Sequence, residues 1–234
     1  MIRDLQEQIC RLKKEKNALV FAHSYQSPDI LEIADLTGDS FALSAKAKEF
    51  GCETIVLCGV RFMADTVKLL LRNNTLIQGL IIPILYRLVC IPCAMANQIS
   101  PARVLEFKRE HPDYAVVAYI NTSTELKAVC DVCVTSSSAL KIVEKLPQKN
   151  ILFIPDKNLG SFVRAKLPQK NIVLWDGCCP VHNAITEEEV LSAKTEHPQA
   201  KLLMHPELPA GVIRHADLVG STADIIRYAT THDE

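Results

Sequence analysis

Short apolar runs alternate along the chain with longer segments whose hydrophobic residues recur every three to four positions, the pattern of parallel strands covered by helices. The runs fall at 18–22, 54–58, 115–118, 151–154, 172–174 and 201–204. They hold almost no polar residues, so they predict strands buried on both faces. Helical patterns follow at 42–50, 138–146 and 223–229, with a charged, amphipathic segment at 1–16. The fold class predicted is α/β.

Three of the runs share a continuation. The first leads into His23, with Ser40 of Gly38-Asp39-Ser40 standing 17 residues on; the next leads into Tyr119, with Ser136 of Thr135-Ser136-Ser137 at the same distance. The last leads into His205, and 17 residues later comes Thr222 of Gly220-Ser221-Thr222. His111-Pro112 and His197-Pro198 each precede their polar strand end by eight residues. The repetition predicts a pseudo-threefold array of three-layer αβα units with parallel sheets: residues 1–94, 95–179 and an incomplete third at 180–234. Ligands of open parallel sheets lie beyond the carboxyl ends of the strands, so His23, Tyr119 and His205 are predicted to face one pocket. The hydroxyl residues Ser40, Ser136 and Thr222, placed near helix starts, are predicted as caps that also suit an anion. A local repeat, Lys145-Leu-Pro-Gln-Lys-Asn-Ile151 against Lys166-Leu-Pro-Gln-Lys-Asn-Ile172, predicts two similar helix-to-strand turns.

Composition narrows the function. With 48% hydrophobic residues among 234, the chain can bury a substantial core. Twenty-six basic against 27 acidic residues leave no polyanion-binding balance, which argues against nucleic acid and for a small-molecule partner. The most apolar stretch, 76–89, contains Gln78, Pro83 and Arg87 and is shorter than the roughly 20 residues a bilayer requires. Residues 1–16 do not read as a secretory signal, so a cytoplasmic location is expected. In that compartment nine cysteines point to metal ligands or buried apolar groups rather than disulfides. Cys10, Cys52 and Cys58 sit in apolar patterns and read as packing, as does Met63.

Cys93 and Cys179 are 86 residues apart, as are Tyr119 and His205. On the same period a third cysteine would fall near 265, beyond Glu234. Three thiolates so placed would suit a 4Fe-4S cluster with one open iron. A second arrangement is also open, because Cys90-x-x-Cys93 and Cys130-x-x-Cys133 have the spacing of a zinc or dithiol site.

The ordered motifs Ala22-His-Ser-Tyr-Gln26, Ala34-Asp-Leu-Thr-Gly-Asp-Ser40, Gly59-Val-Arg-Phe-Met-Ala64 and Met95-Ala-Asn97 resemble the quinolinate synthase (NadA) family. The resemblance continues through Tyr119-Ile-Asn-Thr-Ser123, Lys127-Ala128, Thr135-Ser-Ser137 and Pro155-Asp-Lys-Asn-Leu-Gly160, and runs to Trp175-Asp-Gly-Cys-Cys-Pro-Val-His182, His205-Pro-Glu207 and Gly220-Ser-Thr222. It implies condensation of iminoaspartate with dihydroxyacetone phosphate to quinolinate in NAD biosynthesis, with L-aspartate oxidase as the supplier of the imine. It implies a 4Fe-4S cluster with Cys93 and Cys179 as ligands. Pocket residues carried over are His23, Tyr25, Tyr119, Asn121, His205 and Glu207, with Ser40, Ser136 and Thr222 on carboxylate or phosphate oxygens. Glu207 and His205, with Tyr25 and His23, are the expected catalytic groups; His182 and His215 are open between structural and functional roles.

Two departures stand out. Residues 71–92 end in Leu-Val-Cys-Ile-Pro before the ligand cysteine Cys93 instead of in Ala-Gly, and the first repeat is ten residues longer than the second. The half-unit bearing a third thiolate is absent, so the expectation is a member truncated at its C-terminus. The alternatives carried beside it are an inactive relative that binds small dicarboxylates and a zinc or dithiol protein using both C-x-x-C pairs.

Overall fold

The computed structural model describes residues 2–46, 49–50, 54–70 and 93–232. Cys52, Cys90 and the departing segment 71–92 lie outside the described residues. The chain divides into two compact units, residues 1–93 and 94–234.

The first unit begins with α1 (Ile2–Glu15), followed by β1 (Ala18–His23), α2 (Pro28–Leu31), β2 (Leu36–Gly38), α3 (Ser40–Lys46), β3 (Thr54–Cys58) and α4 (Arg61–Leu70). Its sheet is parallel, ordered β2-β1-β3. The apolar run of β1 sits at the centre, with Val20, Phe21 and Ala22 buried against Ile55 and Leu57 of β3. Met63 and Cys58 are buried, as their apolar settings predict, and Cys10 is half-buried on α1.

The second unit opens with a 3-10 turn at Ala94–Asn97, then α5 (Pro101–Glu110), β4 (Tyr114–Tyr119), α6 (Thr124–Lys127), β5 (Val132–Val134), α7 (Ala139–Lys145), β6 (Asn150–Ile154), α8 (Lys157–Lys166) and β7 (Asn171–Leu174). It continues with α9 (Pro180–Asn183), α10 (Glu187–Glu196), β8 (Leu203–Met204), α11 (Ala210–Ile213), β9 (Leu218–Val219) and α12 (Thr222–Thr231). One parallel sheet runs β5-β4-β6-β7, and β8 pairs with β9, also parallel. The four residues Ala115–Ala118 of β4 and Ile151–Ile154 of β6 are all buried, which is why their sequence shows no polar alternation. Gly160 lets α8 lie close on this sheet: a Cβ there would meet Leu174 at 2.6 Å and Phe153 at 2.9 Å.

The repeat is visible in the pairing register. Phe21 pairs with Leu36, Val117 with Val132 and Leu203 with Leu218, each a step of 15 residues. The short partner strands β2, β5 and β9 were not predicted from the apolar pattern. What fixes them is an aspartate just before each one. Asp35 Oδ2 accepts the Val20 N–H at 2.7 Å, Asp131 Oδ2 that of Val116 at 2.8 Å, and Asp217 Oδ2 that of Leu202 at 2.8 Å. The aspartate N–H groups donate back to the carbonyls of the same three residues at 2.7, 3.0 and 2.8 Å. A lysine from the preceding helix then seals the turn: Lys13, Lys108 and Lys194 donate to the carbonyls of Ile33, Val129 and His215. The edge of each parallel pair therefore keeps its backbone groups satisfied where the ladder begins.

The local repeat folds as expected into the α7–β6 and α8–β7 turns, and its two asparagines meet: Asn171 Nδ2 donates to Asn150 Oδ1 at 2.9 Å. The predicted caps need correction. The N-cap position of α7 is Ser138, not Ser136, and its Oγ accepts the Thr135 N–H instead of a helix N–H; α12 is capped by Ser221, with Thr222 as its first helical residue. Ser221 wins because Asp224 stands three residues on and completes a reciprocal capping box, Ser221 Oγ accepting the Asp224 N–H while Asp224 Oδ2 accepts the Ser221 N–H. At α3 it is Asp39 Oδ1 that accepts the Ala42 N–H, at 2.8 Å.

Candidate functional site

The second unit gathers a polar cluster where β6 and β8 end. At the end of β6 the Ile154–Pro155 peptide is cis. Asp156 follows, fully buried, and caps α8 by accepting the Leu159 N–H at 2.8 Å. Its other oxygen accepts the Cys179 N–H at 3.1 Å. Burial pushes this carboxyl up to about 6; the nearby Glu207 adds to the rise, and the donated N–H bonds oppose it.

The turn that carries Cys179 is held from several sides. Gln98 clamps the Cys178 backbone, its Nε2 donating to the carbonyl at 2.9 Å and its Oε1 accepting the N–H at 2.8 Å. The Lys157 N–H donates to the Gly177 carbonyl at 2.7 Å, and Lys157 Nζ pairs with Asp176 at 2.7 Å. That partner lowers the Asp176 carboxyl and raises the Lys157 ammonium from their ordinary values. Gly177 is required by space: a Cβ would lie 2.6 Å from both the Pro155 carbonyl oxygen and Gln98 Oε1. The glycine of the Trp-x-Gly-x-Cys pattern is thus a packing necessity.

Beyond β8, His205 and Glu207 are buried, 8% and 4% exposed. The Glu207 N–H donates to His205 Nδ1 at 3.4 Å, which places the proton of a neutral imidazole on Nε2. Glu207 Oε2 also lies 3.4 Å from His205 Nδ1. The amide is a fixed donor and the carboxylate is not one, so we take the amide contact as setting the tautomer. His182, on α9, brings Nδ1 to 3.1 Å from Glu207 Oε2, and its ring centre lies 5.3 Å from that of His205. The approach is not aligned as a hydrogen bond: His182 Nδ1 and Glu207 Oε1 are both buried without a hydrogen-bond partner. Burial lowers the His182 pKa, with Glu207 opposing, so the ring favours its neutral form. Asn158 Nδ2 donates to the Glu207 carbonyl at 2.9 Å and ties α8 to this strand end. Among the described residues, one set of three His, Cys, Asp or Glu side chains brings its ligand atoms within 4.8 Å of one another: Cys179, His182 and Glu207.

The remaining expected residues are placed as follows. In the first unit, His23 ends β1 and its Nδ1 accepts the Tyr25 N–H at 3.2 Å, the same two-residue device as at His205. Burial lowers the His23 pKa, with Asp39 opposing. Tyr25 is 64% exposed on that unit, its ring packed edge-on to His23 at 4.5 Å. Ser40 begins α3, and Cys93 is the last residue of the unit. In the second unit, Tyr119 is buried at the end of β4, Asn121 and Ser136 are half-buried in the loops after β4 and β5, and Thr222 starts α12. Next to Asn121, the fully buried Thr122 has an unpartnered hydroxyl.

His215 pairs with Glu187 at 2.7 Å beside Arg214, a surface ion network remote in character from the buried cluster. Cys130 donates its thiol to the Leu126 carbonyl at 3.1 Å. Burial pushes Cys130 up to about 12 and also raises Cys133, the opposite of what a thiolate site needs. Among the described residues no third ligand joins this pair, so the zinc reading of the C-x-x-C motifs gains no support. Sequence reasoning passed over Asp156 and Gln98, and left His182 open. Asp156 stood inside a recognised motif, while Gln98 gave no signal of its own.

Comparison with known proteins gives the family. The chain matches the Quinolinate synthetase A protein family over residues 7–234. It is 44% identical over 230 residues to the quinolinate synthase of Clostridioides difficile (strain 630), covering 98% of this chain and 73% of that one. The Aquifex aeolicus (strain VF5) quinolinate synthase is 43% identical over 232 residues, 99% of this chain and 70% of its own length. That of Sulfurihydrogenibium sp. (strain YO3AOP1) is 45% identical over 230 residues, 98% and 72% respectively. The chain therefore belongs to the quinolinate synthase family, a family of enzymes, and spans 70–73% of the length of these relatives.

Proposed function

We propose that this chain is a quinolinate synthase that condenses iminoaspartate with dihydroxyacetone phosphate, releasing phosphate and water. The observation that carries the reading is the buried Glu207 carboxylate, contacted by His182 and His205 and grouped with Cys179, in a chain that matches the family from residue 7 onward.

Enolising a phosphorylated ketone and expelling water both require a group that moves protons in a site shielded from solvent. Glu207 suits this: Oε2 lies 3.1 and 3.4 Å from the Nδ1 atoms of His182 and His205, and Oε1 is the oxygen left to take a proton. His205, with Nδ1 engaged by an amide, offers Nε2–H to a developing enolate oxygen; by family analogy His23 serves the same substrate. By family analogy Tyr25, Tyr119 and Asn121 orient the substrate, and Ser40, Ser136 and Thr222 bind its carboxylate or phosphate oxygens.

The donor chemistry at Cys179 fits an iron–sulfur ligand. Its amide is fixed by Asp156 and its neighbour by Gln98, which leaves the thiol on a turn that cannot easily shift. Cys93 and Cys179 would hold the 4Fe-4S cluster that the family implies, and the cluster would supply a Lewis-acid iron. In the same reading the enzyme works in the cytoplasm in de novo NAD biosynthesis, taking its imine from L-aspartate oxidase. No helix among the described residues is long and apolar enough to cross a membrane.

The test is to reconstitute the chain anaerobically with iron and sulfide, supply both substrates and measure quinolinate. Product from the wild type and none from Cys179→Ser supports the proposal. No product from an iron–sulfur-loaded wild type, or equal product from both, refutes it.

A further inference from the structure

Cys179 and His182 share the first turn of α9 and Glu207 follows β8, 25 residues beyond His182, yet their ligand atoms all lie within 4.8 Å of one another. Two features argue that this is more than crowding. Glu207 Oε1 and His182 Nδ1 are buried polar atoms with no hydrogen-bond partner, and the Glu207 side chain is 95% buried. Such atoms are costly to leave unpaired unless something binds them. Moreover, His182 Nδ1 and Glu207 Oε2 stand 3.1 Å apart without hydrogen-bond alignment.

A shared cation explains that spacing. Tetrahedral zinc bound at roughly 2.0–2.2 Å by nitrogen and oxygen sets an N···O edge of about 3.3–3.5 Å, and at about 2.3 Å by sulfur sets edges near 3.6 Å. The His182–Glu207 separation is already close to the first value. The Cys179 thiol makes the third corner, within 4.8 Å of the other two ligand atoms, on a backbone that Asp156 keeps in place.

We propose that Cys179, His182 and Glu207 form a mononuclear site for a zinc-type divalent cation, filled when no iron–sulfur cluster claims Cys179. The set of one thiolate, one imidazole and one carboxylate is borderline-soft and suits zinc or cobalt over magnesium or calcium. Three protein ligands leave a fourth position open to water or a substrate oxygen. Binding releases the Cys179 thiol proton to solvent. Because one thiolate cannot serve both occupants, the single ion and the cluster are mutually exclusive, and a bound zinc ion would hold the protein back from cluster assembly.

The experiment uses the full chain, stripped of metal with a chelator under reducing conditions and titrated with Co2+ as a spectroscopic stand-in for Zn2+. The expected result is one Co2+ per chain, with a near-ultraviolet sulfur-to-cobalt band and the intense visible bands of tetrahedral cobalt. Cys179→Ser should remove the sulfur-to-cobalt band. His182→Gln and Glu207→Gln, which keep volume and polarity, should each weaken binding by more than about tenfold, the lower range for losing even an outer partner of a metal site. Far-ultraviolet circular dichroism checks that the variants fold. Weak octahedral bands, or affinity unchanged in both glutamine variants, would overturn the proposal. So would loss of binding on Cys130→Ser or Cys133→Ser in place of Cys179→Ser. None of these readouts depends on quinolinate turnover, so the site can fail while the enzymatic reading stands, and the reverse.

Discussion

The strand ends at His23 and His205 are built alike and finish differently. In both, an imidazole follows the last apolar residue of a parallel strand and its Nδ1 accepts the N–H of the residue two further on. Both strands are tied near their start by the same aspartate and lysine contacts, Asp35 with Lys13 and Asp217 with Lys194. Yet the residue supplying that amide is Tyr25 in one, 64% exposed, and Glu207 in the other, 4% exposed and set against His182. The repeat supplies a rigid way of presenting an imidazole; the chemistry is then assigned by one side chain two residues later.

The comparison is broken most strongly at Gly177, whose turn supports the Cys179 side of the buried cluster. In Gly177→Ala the new Cβ meets backbone and Gln98 at 2.6 Å, so a loss of about 1–3 kcal/mol in urea unfolding is expected. Retention of full stability would show that the turn is looser than described. The shared turn is tested by Asp35→Asn and Asp131→Asn, which replace an accepting carboxylate oxygen at the start of β1 and β4. Each should cost about 1 kcal/mol, since these bonds are partly solvent-screened. The two losses should agree within roughly 0.5 kcal/mol. A clear inequality would mean that the repeats share geometry without sharing energetics.

The smallest expected effect concerns pH. His23 has a folded pKa held below its ordinary 6.5 by burial, so the unfolded chain takes up a proton first as pH falls. Its contribution to stability is complete above pH 6.5 and is lost as pH falls through the lower, folded value. The urea midpoint of the wild type should therefore drop between pH 7.5 and 5.5 by more than that of His23→Asn. An identical slope in both would show that His23 is not desolvated.

Much of this was legible in the chain. The apolar runs located β1, β3, β4, β6 and β7 to within two residues; burial on both faces holds for the central β4 and β6, whereas the edge strand β7, expected to be buried on both faces, exposes Val173. The equal steps to Ser40, Ser136 and Thr222 marked the repeat. What sequence could not show were β2, β5 and β9, only two or three residues long, too short to register as a pattern, and held by aspartates whose partners stand 15 residues away. Local pattern carries no record of such a contact. The cap at Ser221 was there to be read, since Ser221-Thr-Ala-Asp224 has the capping-box spacing, but the repeat alignment drew attention one residue too far. His182 was left open because nothing in Pro-Val-His reveals that α9 turns it onto Glu207.

The most direct measurement is the steady-state rate of quinolinate formation by Glu207→Gln, set against wild type with equal iron and sulfide content. Glutamine keeps the shape of the side chain and removes its ability to take a proton. A fall in kcat of about 10²–10⁴-fold with little change in KM is the predicted result. A variant that turns over at the wild-type rate would contradict the assignment of proton transfer to this strand end.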